Sequence, residues 1–210
     1  MKAMLLAIAT ISSACAGEFV DLFNGKDFAN WGAAGKAEQA GYEVKDGTIT
    51  STRKCRVLKT EKQYSNYVLH FEFKLTPGAN NGLGIHYPGQ GDAAYTGMEI
   101  QILDNTHPKY ANLKDFQFHG GLYTLVAAKK GHLKPVGEWN KEVVTIDGAN
   151  VTVELNGTVI MEANLDDINK TKPKHKGAKR REGHIAFCGH GDIVSFKNIK
   201  IKELAAKKAK

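Results

Sequence analysis

Apolar side chains recur at every second position along much of this chain, and Asn-Gly or Asp-Gly pairs separate the runs. A period of two puts successive side chains on opposite faces of an extended backbone, so each run reads as a strand with one buried face. Tyr67, Leu69, Phe71, Phe73 and Leu75 alternate with Val68, His70, Glu72 and Lys74. Tyr42 and Val44 lead through Asp46-Gly47 to Ile49. Asp147-Gly148 precedes Val151, Val153 and Leu155, which lead through Asn156-Gly157 to Val159. Such dipeptides supply the positive φ values of tight hairpin turns. Two further strands read from Gly183 to Gly189 and from Ile193 to Leu204. In the second, the alternation falters around Lys197, which predicts a bulge there. Helical periodicity is confined to a short stretch at 164–169. No internal repeat and no Pro- or Ser-rich linker divides the chain. Many short strands with regular turns predict an all-β sandwich or barrel.

The first residues add an address. Lys2 precedes a short apolar run, which ends in Ala14-Cys15-Ala16 before Gly17. That order is the layout of a secretory signal peptide with a small-residue cleavage site. The expectation is a signal peptide at 1–16 and a secreted or periplasmic product, with lipidation at Cys15 as the second reading. The run is too short for a permanent membrane span, and no later segment is apolar enough for one. The remaining residues suit one all-β domain, since such domains often reach ~200–250 residues.

The formal charge of +7 is concentrated in Lys170, Lys172, Lys174, Lys176, Lys179, Arg180 and Arg181, and in a tail carrying Lys207, Lys208 and Lys210. No nucleic-acid recognition motif accompanies this charge. It reads as a solvated loop and a frayed tail, with no nucleic-acid partner. Cys55 and Cys188 follow the leader; spacing alone leaves open whether they pair or stay as buried thiols.

Serine-hydrolase elbows, zincin helices, paired Cys-x-x-Cys and phosphate loops are absent from the sequence. A dense polar stretch remains, from Asn80-Asn81-Gly82 through His86 to Gly97-Met98-Glu99-Ile100-Gln101-Ile102-Leu103-Asp104. On a strand, Glu99 and Gln101 share one face and Met98, Ile100 and Ile102 the other. The apolar set is expected in the core and the polar pair toward a cleft. Asp104 points away unless the strand end bends. His86, His107 and His119 lie near this stretch in the chain.

Several segments carry a resemblance. Phe23-Asn24-Gly25-Lys26-Asp27-Phe28 and Trp31 open it. It continues through Asn80-Asn81-Gly82, the strand from Gly97 to Asp104, and Gly121-Leu122-Tyr123. Pro135-Val136-Gly137-Glu138-Trp139-Asn140, Leu155-Asn156-Gly157 and Gly189-His190-Gly191 follow, with Phe196-Lys197-Asn198-Ile199 closing the set. In this order the chain resembles the 3-keto-disaccharide hydrolase family. The resemblance implies a concanavalin-A-like jelly roll, an antiparallel β-sandwich spanning 17–204 with a basic tail at 205–210.

It also implies a carbohydrate substrate already oxidised at C3. The ketone acidifies the C2 proton; a base removes it, the enolate expels the C1 aglycone, and water adds to the product. That chemistry needs a positioned base and a stabiliser for the enolate oxygen, either hydrogen-bond donors or a divalent metal. On this reading Glu99 is the base or a metal ligand. His119 and His190 are candidates for proton transfer, metal ligation or enolate stabilisation. Asn81, His86, Gln101, Asp104 and Tyr123 are candidates for contact with the sugar. The metal ligands stay unassigned. Trp31 and Trp139 read as core. Two alternatives stand beside it: a sugar-binding module of the same fold, and a conventional glycosidase using Glu99 and Asp104.

Overall fold

The computed structural model describes residues 17–32 and 40–205. The leader at 1–16 with Cys15, and the lysines of the tail, lie outside the described residues. Thirteen strands and two short helices follow in chain order. They are β1 (Val20–Asp21), β2 (Trp31–Gly32), β3 (Tyr42–Lys45), β4 (Thr48–Ser51), β5 (Val57–Thr60), β6 (Tyr67–Leu75) and β7 (Asn80–Tyr87). Helix α1 (Ala93–Thr96) leads into β8 (Met98–Leu103), β9 (Trp139–Asp147), β10 (Asn150–Leu155) and β11 (Thr158–Asn164). Helix α2 (Leu165–Thr171), β12 (His184–Cys188) and β13 (Val194–Glu203) are the last among the described residues.

All strand pairs are antiparallel. The larger sheet runs β11-β10-β9-β6-β13-β4-β3, with β1 on β13; the smaller runs β2-β5-β12-β7-β8. Their facing sides bury one continuous apolar core, the layered solution for sheets that are apolar on one face. The strand at Tyr67–Leu75 buries every odd-numbered residue, as its pattern predicts. Phe187 of the small sheet stacks on Phe196 of the large one, with centroids 3.8 Å apart, and Trp31 stacks behind Phe187 at 5.1 Å. Each such aromatic pair adds about 1 kcal/mol beyond its buried area.

The turn dipeptides act as their chemistry requires. Asp46 and Gly47 take φ of 50° and 72°, and Asn156 and Gly157 take 51° and 87°; both pairs close two-residue hairpins. Asp147 instead pairs with Asn150, so that turn centres on Gly148-Ala149. The bulge in β13 falls between Lys197 and Lys200, where Asn198 has φ 51°. Helix α2 covers 165–171 and starts directly after its cap, Asn164, which accepts from the N–H groups of Asp166 and Asp167.

One expectation changes and one open question closes. Trp139 is not core: it lies on the outer face of β9, with the Lys74 and Lys197 ammonium groups 5.0 and 4.2 Å from its ring. Asn140, Glu142, Val144 and Ile146 take the inner face of that strand, and strict alternation turns residue 139 outward. Cys55 and Cys188 are both free thiols, buried, and burial pushes the pKa of each up. No helix among the described residues is long and apolar enough to cross a membrane.

Candidate active site

The outer face of the small sheet carries the polar face of β8. Met98, Ile100 and Ile102 enter the core, which sends Glu99 and Gln101 to the opposite side. The backbone beneath them is held on both edges. Strand β7 pairs along one side. On the other, Gln101 N–H donates to Gly121 O at 2.9 Å, and Gly120 and Tyr123 N–H donate to Gln101 O and Glu99 O at 2.8 Å each. That second segment covers what would otherwise be an open sheet edge.

Glycine shapes the floor. Gly82 and Gly84 stand directly across from Gln101 and Glu99. A Cβ on residue 82 would lie 1.8 Å from Glu99 Oε1, so the carboxylate rests where a side chain would be. A Cβ on residue 84 would press at 3.2 Å on both Ala186 and Cys188, beneath α1. His190 arrives from the far end of the chain. Gly189 passes so close to Cys55 that a Cβ there would sit 2.5 Å from its sulfur, and Gly191, at φ 84°, donates its N–H to that sulfur at 3.2 Å. This anchoring presents the imidazole between them to the cleft.

The result is a cleft of about 310 Å³ lined by Asn80, Asp92, Tyr95, Glu99, Gln101, Tyr123 and His190, among others. That size falls at the lower end of small-molecule sites. His190 Nε2 lies 3.2 Å from Glu99 Oε1; the Glu99 side chain is 5% exposed and that of His190 44%. The hydrogen bond to Glu99 raises the His190 pKa above its ordinary value, against the opposing effect of burial. Gln101 Nε2 donates to Asn80 Oδ1 at 2.6 Å, and both residues line the cleft. Gln117 Nε2 donates to the Tyr123 hydroxyl at 3.4 Å.

Of the residues singled out from the sequence, Glu99, Gln101, Tyr123 and His190 converge here. Four others lie elsewhere. Asn81 alternates with Gly82 and so faces inward, fully buried, with its Nδ2 donating to the Tyr42 hydroxyl at 3.4 Å. His86 is fully buried at φ 49°; burial pushes its pKa down to about 4, so it is neutral near pH 7. His119 sits inside the sandwich, its ring 5.0 Å from Phe73 and its Nε2 3.1 Å from Glu142 Oε2. That contact is not aligned as a hydrogen bond, and neither His119 ring nitrogen nor either Glu142 oxygen has a hydrogen-bond partner among the described residues.

Asp104 closes the strand end, accepting from Gly78 N–H at 2.8 Å and from Thr106 N–H and hydroxyl at 3.0 and 2.6 Å. Burial works to raise its pKa, but these bonds outweigh it and hold the carboxyl below its usual range. The Glu99–Asp104 pair of a two-carboxylate glycosidase therefore does not share the cleft. No three His, Cys, Asp or Glu side chains among the described residues are grouped to hold a metal ion. The sequence reading missed Asn80, Asp92 and Tyr95. Asn80 was legible as the residue two before Gly82, on the same face; Asp92 and Tyr95 reach the cleft only because α1 folds over β7.

Comparison with known proteins agrees with this architecture. A 3-keto-disaccharide hydrolase of Bacteroides thetaiotaomicron is 26% identical over 229 residues, covering 89% of this chain and 78% of that protein. A crystallised Parabacteroides distasonis protein assigned as a glycosyl hydrolase superposes with a TM-score of 0.80 at 27% identity, over 90% of this chain and 94% of its own. The carbohydrate-binding module CBM66 of Bacillus subtilis shares the fold, with a TM-score of 0.56 at 11% identity over 84% of this chain and 98% of that one. The family described as the 3-keto-alpha-glucoside-1,2-lyase-like domain matches residues 18–202, and this chain belongs to it.

Proposed function

We propose that this protein cleaves 3-keto-glycosides, including 3-keto-disaccharides, by elimination and hydration, with Glu99 as the base. The carrying observation is the Glu99–His190 pair at 3.2 Å on the floor of the cleft, in a chain of this family. The Glu99 carboxylate takes the C2 proton. The electron pair left on C2 delocalises to the C3 oxygen and returns to form the C1–C2 double bond as the C1–O bond breaks. The leaving oxygen takes a proton from the His190 imidazolium, a form that the hydrogen bond to Glu99 favours over the neutral ring. The Asn80 amide, oriented by Gln101, donates to the enolate oxygen. Water then adds across the double bond: its oxygen bonds C1 while its proton goes to His190, and Glu99 returns its proton to C2, which releases the free 3-keto sugar and restores both residues. Tyr95 and Tyr123 flank the ring. Export is part of the proposal, supported by the leader-like order of residues 1–16.

The test is turnover by the purified mature protein of a 3-keto-glucoside and its unoxidised parent, with and without chelator. Cleavage of the oxidised sugar alone, falling by about 10²–10⁴-fold in Glu99→Gln, is expected for loss of a general base. Cleavage of the parent sugar overturns the proposal in favour of direct glycoside hydrolysis. Sugar binding without turnover overturns it in favour of a binding module. Loss of turnover with chelator adds a metal to the mechanism.

A further inference from the structure

A second groove lies beside the cleft. Beyond Tyr123 the chain turns at Thr124, a β-branched residue held at φ 64°, which is an outlier for its type and a mark of imposed geometry. Thr124 and Leu125 then form one side of a second groove of about 410 Å³, whose other side is the segment after α2, with Lys172, Pro173, Lys174 and His175. The two spaces share a partition. His175 Nε2 hydrogen-bonds Ala94 O at 3.0 Å, and Ala94 and Tyr95 line the first cleft. The Tyr95 ring, half exposed, lies 6.3 Å from the His175 ring at a tilt of 38°, so an aromatic ring stands on each side of the partition.

The chemistry of the groove differs from that of the cleft. Leu125 and Pro173 give it apolar walls. Lys172 and Lys174 line it, and neither has an ion-pair partner among the described residues, whereas Lys170 and Arg181 nearby are taken by Asp167 and Asp166. No carboxylate lines the groove. An apolar slot with two unpaired ammonium groups favours a flat apolar group that carries an anion.

We infer that this groove is the aglycone subsite, and that the preferred substrates are 3-keto-glycosides whose aglycone is an aromatic ring bearing a carboxylate. This rests on the proposed function, since the keto-sugar must occupy the cleft for its C1 substituent to reach past Tyr95 and Thr124. The aryl ring stacks along Tyr95 and His175 and packs on Leu125 and Pro173, and the carboxylate meets Lys172 and Lys174.

The experiment compares three substrates with the full mature protein: 3-keto-glucosides of 4-hydroxybenzoate and of 4-hydroxybenzamide, and a 3-keto-disaccharide. The KM of the carboxylate compound is expected to be about fivefold below that of the amide, with similar kcat, which is the size of one or two partly screened charge contacts. The difference disappears in the Lys172→Gln/Lys174→Gln double variant, whose changes are at exposed positions, and at 1 M NaCl, where the Debye length is about 3 Å. Turnover of all three with equal KM for the two aryl compounds, or a carboxylate preference that survives the double substitution, overturns this inference and leaves the proposed function standing. Turnover of none overturns both.

Discussion

Glu99 lies in the space that a side chain on Gly82 would fill: a Cβ there would stand 1.8 Å from Glu99 Oε1 and 2.5 Å from its Cδ and Cγ. The two residues sit on adjacent strands, and the missing methyl on one positions the carboxylate of the other against His190. Gly82 has an ordinary backbone conformation, so its requirement is steric.

Gly82→Ala is therefore expected to keep the fold and lose the chemistry. The methyl displaces the carboxylate from the His190 ring, and a base moved by about 1 Å costs on the order of 10²-fold in rate. Steady-state kinetics beside a circular-dichroism melt checks this. Unchanged kcat/KM would show that Glu99 does not act from its observed position.

The His190 imidazolium is held by Glu99, so removing the carboxylate should release it. In Glu99→Gln the His190 pKa is expected to fall toward the ordinary value of about 6.5, read by an NMR titration of its ring protons. The same pair predicts a small stability effect of defined sign. Because the folded pKa is raised, the stabilisation is fully present below about pH 6.5 and is lost as pH rises through the folded value. With His190 nearly half exposed, solvent screening keeps this below about 1 kcal/mol.

The His119–Glu142 contact is buried, with side chains 1% and 0% exposed, and its role follows from where it lies. Glu142→Ala opens a cavity beside the buried His119 ring and is expected to cost about 2–4 kcal/mol in urea unfolding. Replacing both by apolar residues, His119→Phe with Glu142→Leu, is expected to recover most of that loss. In the recovered variant kcat should stay within about threefold of the parent, whereas losing a proton-transfer group would cost at least about 10²-fold.

His86 predicts an acid limb. Its folded pKa of about 4 lies below the unfolded value of about 6.5, so the unfolded chain binds the extra proton between those values and stability falls as pH drops from about 6.5 to 4. The loss amounts to about 3 kcal/mol. His86→Asn tolerates the positive φ and carries no titrating group. Its unfolding free energy should differ between pH 7 and pH 4 by about 3 kcal/mol less than the parent's, measured by denaturant titration at each pH.

Much of the fold was legible because strands and hairpins are encoded locally. The alternation at 67–75, the Asp46-Gly47 and Asn156-Gly157 turns, the bulge after Lys197 and the helix after Asn164 all follow from residue types within a few positions of one another. The same rule separated Glu99 and Gln101 from Met98, Ile100 and Ile102. It did not place Asn81 or Trp139: the resemblance carried Asn81 and the usual burial of tryptophan carried Trp139, whereas in the structure Asn81 faces inward and Trp139 outward.

The two histidines show where local information ends. His119 precedes a Gly-Gly pair and His190 stands between two glycines, and the resemblance makes each a candidate for the same chemistry. One is drawn between the sheets by Phe73 and Glu142, the other is held over Glu99 by the contacts of Gly189 and Gly191 with Cys55. The sequence by itself determined the strands, their turns and which side of β8 carries the carboxylate, because period and turn chemistry act over a few residues. Only the tertiary structure decided which histidine meets Glu99, and that Asn80, Asp92 and Tyr95 share its cleft, because those meetings depend on how loops distant in the chain pack across one sheet face.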